Sequence, residues 1–366
     1  MNRLDYFTET NLLSPVGGGL PEIIEIEPVH NCNFRCIMCH VPYEVELTKT
    51  AIDVDAIARS LTPGFAGRWA IVGASHEPAF HPRFADLIAI LTDAGMKIDL
   101  TTNGSLFSDK LIDQVRYGNF RNITVSFDGA RKETYERIRQ QANFDQVLRR
   151  VLALREAVGN DKTCWIINYT TLRSNIDEII EAVEMWDRYG FDHVGIIAMV
   201  LRHDVEILQD ETLDPVVDRF RASVHAAAEH IVSGRLRITM SSSVVGEVKS
   251  DHPDALLPFN PRPYFQLRAH PDVLVPCSSP YTYVRITFHG QVMLCHRIWV
   301  GDINQETLTD IWNGNNAQAA RAAVKTSTDT CNACDFYKFC LNAAAIDPAD
   351  PANQISDRLR QERIAR

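Results

Sequence analysis

Six short runs rich in Ile, Val and other strand-forming residues, each followed by a stretch of helical periodicity, limit what this chain folds into more than any other feature. The runs are Ile23–Glu27, Trp69–Gly73, Ile98–Thr102, Ile123–Phe127, Trp165–Thr170 and Val194–Val200. Short continuous apolar runs of this kind suit parallel strands covered on both faces. Between them, Ser108-Asp109 opens a helical pattern through Leu111, Ile112 and Val115. Asn175-x-x-Glu178 reads as a capping box ahead of Ile179, Ile180 and Val183, with Gly190 after the last turn. Six successive βα units predict an α/β chain with an open or closed barrel, not a sandwich. Periodicity does not separate six strands from eight.

Beyond Val200 the pattern changes. Residues 213–232 read as one amphipathic helix, Leu236–Met240 as a strand and Pro253–Pro263 as a proline-punctuated linker. Tyr283–Phe288 and Gln291–Cys295 then flank His289-Gly290 as a β-hairpin would. The expected organisation is a flexible leader at 1–20, a core barrel at 21–240, a smaller unit at 260–345 and a polar tail at 346–366.

A chain of 366 residues buries a sufficient core without cross-links, so its nine cysteines call for another explanation. The start of the chain lacks an apolar stretch of signal-peptide length. Nowhere do about 18 apolar residues run together, as a membrane span requires. Net charge is −10 with no basic run, which speaks against nucleic acid and membrane partners. The expectation is a cytoplasmic, reducing setting, where clustered cysteines bind metal or do chemistry more often than they form disulfides.

Eight of the cysteines fall into two groups. Cys32-x-x-x-Cys36-x-x-Cys39 directly follows the first strand, where the loops of a parallel barrel line the active-site face. Three thiolates on one loop hold three corners of a cubane iron–sulfur cluster and leave one iron open. A zinc site with His40 as fourth ligand is the alternative that spacing leaves standing.

The run Cys32-Asn33-Phe34-Arg35-Cys36-Ile37-Met38-Cys39 resembles the signature of the radical S-adenosylmethionine (SAM) superfamily, with Met38 where an aromatic is common. That resemblance implies a partial (β/α)6 barrel and a [4Fe–4S] cluster whose open iron chelates the amino and carboxylate groups of SAM. Gly73-Ala74-Ser75-His76-Glu77-Pro78 is similar to the family's Gly-Gly-Glu-Pro segment for the SAM amino group, with His76 replacing a glycine. Thr101-Thr102-Asn103-Gly104 and Ser126-Phe127-Asp128-Gly129 stand where relatives approach the SAM ribose and methionine. The resemblance thus marks Ser75, His76, Glu77, Asn103, Ser126, Asp128 and, on the fifth strand, Asn168 as cofactor-binding candidates. Arg137 and Arg139 are candidates for pairing with the SAM carboxylate, or are surface helix charges.

The second group is Cys277, Cys295, Cys331, Cys334 and Cys340. By spacing it reads as a metal centre, with a zinc knuckle as the alternative. With Ile311-Trp312-Asn313-Gly314 ahead of its last members, it resembles the SPASM and twitch extensions that carry auxiliary clusters. The fuller SPASM pattern has a cysteine where Ala344 stands here, so the resemblance implies one auxiliary [4Fe–4S] cluster. Cys277, Cys295, Cys331 and Cys334 are its implied ligands, with Cys340 as an alternative ligand. Cys164 stands alone at the head of the fifth strand, either as a small buried hydrophobe or as a thiol that gives a hydrogen atom to a substrate radical.

The implied activity is reductive cleavage of SAM to a 5′-deoxyadenosyl radical, followed by hydrogen abstraction. The expected outcome is two-electron oxidation of a small polar substrate such as a sugar or aminocyclitol, with the auxiliary cluster accepting an electron. Modification of a peptide or protein by the same radical chemistry is the second expectation, and a non-catalytic zinc-binding protein the third. A reducing partner such as flavodoxin or ferredoxin goes with the enzyme readings. His76, His81 and His296 are candidates for a general base by residue type alone.

Overall fold

The computed structural model describes residues 19–39, 47–73, 75–199, 206–240, 256–258, 279–294 and 298–326. The first half of the chain runs through β1 (Ile23–Ile26), β2 (Arg35–Cys36), α1 (Val54–Ser60), β3 (Trp69–Val72), α2 (Phe84–Asp93), β4 (Lys97–Thr102) and α3 (Asp109–Val115). It continues through β5 (Phe120–Ser126), α4 (Lys132–Ile138), β6 (Arg139–Gln140), α5 (Phe144–Val158), β7 (Cys164–Thr171), α6 (Ile179–Arg188) and β8 (His193–Ala198). After these come α7 (Val217–Glu229), β9 (Arg237–Met240), β10 (Leu256–Pro258), α8 (Ser279–Thr282), β11 (Tyr283–Ile286), β12 (Gln291–Met293) and β13 (Trp299–Asp302). Two helices, α9 (Leu308–Asn313) and α10 (Asn315–Thr326), complete the described part.

The six expected strands are β1, β3, β4, β5, β7 and β8, and neighbours pair in parallel. The Leu236 run supplies β9, parallel to β8. The proline-rich stretch read as a linker contributes β10, which pairs with β9 at the sheet's edge. An edge is where a strand tolerates a proline such as Pro258. The single helix expected over 213–232 is a 3-10 turn at Asp214–Val216 followed by α7. The hairpin forms as expected, with Gly290 at φ +86°, a conformation in which an added Cβ would sit 2.4 Å from Asn304 Nδ2. It does not stand apart from the barrel. β11 pairs in parallel with β1, and β12 and β13 extend the same sheet antiparallel.

Helix starts follow the sequence where the cap is local: Ser108 accepts from Leu111 N, and Asn143 from Gln146 N. The capping box read at Asn175 and Glu178 does not form. The Asn175 amide instead accepts from Leu172 N at 2.7 Å and donates to Asp128 O and Thr170 O. The Glu178 carboxylate accepts from the backbone of Ala130 and Arg131 at the head of α4. Tertiary demand for these side chains outweighs the local cap.

Strand alternation sorts the two faces. Ile24, Ile26, Ala70, Val72, Ile98, Leu100, Ile123, Val125, Trp165 and Ile167 are buried in one apolar core that includes helix residues Leu87, Leu91, Val147, Val151 and Trp186. Each Val, Leu or Ile among them contributes about 1.5–3 kcal/mol on burial. The opposite face mixes an apolar cluster of Ile23, Trp69, Ile71 and Tyr283 with polar side chains. Glu25, Asp99, Thr101, Thr124, Ser126, Asn168 and Thr239 occupy the alternate positions, and registers place Ser126, Asn168, Gly195 and Thr239 in one row. A parallel sheet with its main core on one side thus presents a row of hydrogen-bonding side chains on the other.

Candidate active site

The loop after β1 carries the N-terminal cysteines back across the carboxyl ends of the strands. A short ladder holds it, Arg35 opposite Gln140 and Cys36 opposite Arg139, with Ile37 N donating to Ile138 O at 2.9 Å. Phe34 is buried in the main core. Ile37 and Met38 pack on a second apolar cluster of Ile138, Leu172, Met199 and Leu208, so the position where the family often has an aromatic is filled by a residue that anchors the loop. Arg35 Nη1 closes the turn on the carbonyls of Cys32 and Phe34 at 2.7 and 2.8 Å. Cys36 is buried, while Cys32 and Cys39 are half-buried.

Nitrogen donors face the sulfurs. Cys32 Sγ accepts from Phe34 N at 3.5 Å and Asn103 Nδ2 at 3.8 Å, and Cys36 Sγ from Arg139 Nη1 at 3.8 Å. Burial, against the lowering pull of Phe34 N on Cys32 and of Arg139 on both, pushes the Cys32 thiol up to about 11 and the Cys36 thiol up to about 12. A buried thiolate therefore needs a cation beside it, which iron supplies. Among the described residues no three His, Cys, Asp or Glu side chains converge as on a single ion; a cubane takes its cysteines at separate corners. The donor set and the tied loop fit an iron–sulfur cluster.

The other candidates divide by what engages them. Glu77 is buried, and its carboxylate accepts from Ala79 N at 3.2 Å, Thr102 Oγ1 at 2.7 Å and Asn103 N at 2.7 Å. Burial raises its pKa to about 7 against those donors. Its side chain links the loop after β3 to the loop after β4. Asn103 is spanned by the same network, donating to Asn33 Oδ1 at 3.1 Å and accepting from Ser105 N and Oγ. Asp128 is wholly buried, with one oxygen 2.6 Å from Arg139 Nη2 and the other accepting from Thr170 N at 2.7 Å. Arg139 is buried as well, which corrects its reading as a surface charge; Arg137 donates to Ser174 O at the exposed side.

Ser126 and Asn168 sit half-buried on the face opposite the main core, side by side in register. Gly195 beside Asn168 leaves room there, since a Cβ would lie 3.3 Å from Asn168 Oδ1. Ser75 Oγ meets Arg285 Nη2 at 3.3 Å, and His76 meets His30 edge-on at 4.8 Å between ring centroids. His81 is fixed in structure, Nε2 on Ile52 O at 3.0 Å and Nδ1 accepting from Arg83 N. Cys164 begins β7, four residues before Asn168, at the end of the sheet away from the cysteine loop. Cys277, Cys295, Cys331, Cys334 and Cys340, with His40 and His296, lie outside the described residues.

One part of this surface escaped the sequence reading. Arg285 of β11 pairs with Glu25 at 3.2 Å and Glu27 at 3.1 Å, and Tyr283 Oη donates to Glu25 at 2.7 Å. Alternation of Ile24 and Ile26 with Glu25 and Glu27 carries the signal for inward-facing carboxylates, but their partners come from a strand about 258 residues away.

Comparison with known proteins gives two family matches and a shared fold. Residues 26–185 match the radical SAM superfamily, and residues 277–335 match an iron–sulfur cluster-binding domain, SPASM. The AdoMet-dependent heme synthase of Methanosarcina barkeri is 25% identical over 172 residues, covering 46% of this chain and 48% of that protein. A probable GTP 3′,8-cyclase of Saccharolobus islandicus is 23% identical over 191 residues, covering 49% and 57%. The chain spans about half the length of these curated relatives. Streptococcus suis SuiB bound to S-adenosylmethionine superposes with a TM-score of 0.62 at 14% identity, over 88% of this chain and 72% of that one. The structure of anSMEcpe with bound AdoMet gives 0.56 at 14% identity, over 90% and 91%.

Proposed function

We propose, for a chain that belongs to the radical SAM superfamily and carries a C-terminal iron–sulfur domain, an oxidoreductase acting on a small polar substrate such as a sugar or aminocyclitol. The observation that carries the reading is the tied Cys32–Cys39 loop, with N–H donors on its sulfurs, beside the polar row of Ser126 and Asn168. In this reading Cys32, Cys36 and Cys39 hold a [4Fe–4S] cluster that binds SAM. When bound, these groups would supply radical hydrogen abstraction from a C–H bond and a one-electron acceptor for the two-electron oxidation of the substrate.

The chain's own residues bind and orient. Ser126 and Asn168 would receive the polar groups of SAM, and the backbone at Ser75 and His76 its amino group. Glu77, Asn103 and Asp128 hold the loops in place. Cys277, Cys295, Cys331 and Cys334, with Cys340 as alternative, would ligate the auxiliary cluster of a unit at 260–345, beside a core at 21–240. A flavodoxin or ferredoxin in the cytoplasm would reduce the SAM-binding cluster; among the described residues no helix is long and apolar enough to cross a membrane. A second reading, radical modification of a peptide, draws on the likeness to SuiB solved with its precursor peptide SuiA, TM-score 0.60.

The test is iron per chain after anaerobic reconstitution, together with methionine and 5′-deoxyadenosine released from SAM under a reductant. Two cubanes predict roughly eight irons, and roughly four with no SAM cleavage in the Cys32/Cys36/Cys39→Ala variant. Stoichiometric zinc and no iron in both proteins would overturn the enzyme reading. Oxidised sugar or cross-linked peptide among the products separates the two substrates.

A further inference from the structure

We infer that the buried Asp128–Arg139 pair sets the reduction potential of the N-terminal cluster through the Arg139 contact to Cys36. The inference rests on the reading that Cys32, Cys36 and Cys39 ligate that cluster. Arg139 and Asp128 are 6% and 0% exposed, so water does not screen them as it does surface charges. One end of the guanidinium, Nη1, reaches Cys36 Sγ at 3.8 Å. The other, Nη2, lies 2.6 Å from Asp128 Oδ2. Thr170 N fixes the second Asp128 oxygen at 2.7 Å, and the Arg139 backbone is laddered to Cys36 itself. The guanidinium is thus held between a carboxylate and a sulfur, with both charged ends already engaged.

The order of the charges matters. The cation touches the sulfur, and the anion stands behind it. Adding an electron to a cluster makes its ligands more negative, and a nearby cation with an N–H···S contact favours that form. Asp128 moderates the same cation from behind. Removing Arg139 therefore makes reduction harder, whereas neutralising Asp128 alone exposes the cluster to the full guanidinium and makes reduction easier. A pair that merely held the loop would not give opposite signs.

The experiment is a redox titration of the reconstituted full chain followed by electron paramagnetic resonance, the cluster being recognised as the signal that changes when SAM is added. Arg139→Gln is expected to lower the midpoint and Asp128→Asn to raise it, each by a tenfold change in the reduced-to-oxidised ratio, ~59 mV for a one-electron couple. Arg139→Lys, which keeps the charge, is expected to stay nearer the parent than Arg139→Gln. Midpoints that move in the same direction, or not at all, with iron content unchanged would overturn the inference. So would loss of the SAM-responsive cluster in all three variants, which would make the pair a support of the loop. A parent protein without any SAM-responsive signal would instead remove the underlying assignment of the cysteines.

Discussion

The Glu77→Gln substitution tests how the cofactor loops are joined. The parent carboxyl is buried and its pKa is raised to about 7 by burial, against an ordinary value of 4.5. A raised folded-state value means that the native chain holds a proton which the unfolded chain releases. The stabilisation is therefore fully present below the unfolded value and is lost as pH rises through the folded one. The full span is about 3 kcal/mol, of which about 2 kcal/mol disappears between pH 5 and pH 7. Glutamine does not titrate, so the stability difference between parent and variant should shrink by that amount over the same range. The variant also loses something at every pH. Three donors converge on the carboxylate, and an amide nitrogen facing one of them leaves a buried donor unmet, about 1–3 kcal/mol. Urea denaturation of both proteins at pH 5, 6 and 7 reads both effects. A difference that stays constant with pH would refute the protonation argument, and no difference at all would refute the linkage itself.

Other outcomes follow from single sites. Gly73→Ala should cost well over 1 kcal/mol in urea denaturation and weaken SAM binding, because Gly73 has φ +81° and a Cβ there would lie 2.5 Å from Pro78 Cγ and 2.7 Å from Thr101 O. Asn168→Ala should raise the SAM dissociation constant about tenfold by equilibrium dialysis, the worth of one hydrogen bond, with iron content unchanged. Trp186→Ala should destabilise the chain by about 3–5 kcal/mol in thermal or urea unfolding, since the indole is fully buried against Phe127 and Phe191.

Local patterns carried much of the architecture. The Ile- and Val-rich runs became strands with ends shifted by a few residues, and Ser108 caps its helix because that bond needs only the next turn. Two-residue strands such as β2 and β6 have no periodicity to read and exist because Cys36 and Arg139 meet across about 103 residues. The same distance hid the role of Arg139, whose sequence neighbourhood is an exposed-looking helix end. Glu178 and Asn175 had a valid capping pattern, yet the distant Ala130 N claimed Glu178 and the preceding turn's Leu172 N claimed Asn175. Of the site, the cysteine spacing was legible outright. What holds the cysteines was not, because those partners come from loops brought together only by the sheet.

The pairing of β1 between β3 and β11 bears on how the chain is made. β1 leaves the ribosome early, but its second neighbour, Tyr283–Ile286, comes after nearly all of the other strands. Until then Ile23–Ile26 offers a row of unpaired backbone groups and an apolar face, the kind of edge that recruits other chains. Closing it requires a contact of very long sequence separation, which is slow. A chain stopped at residue 240 should therefore aggregate during refolding, as light scattering would show, and supplying 279–326 in trans should suppress it. The C-terminal unit would then act, before any chemistry, as the chaperone of the first strand.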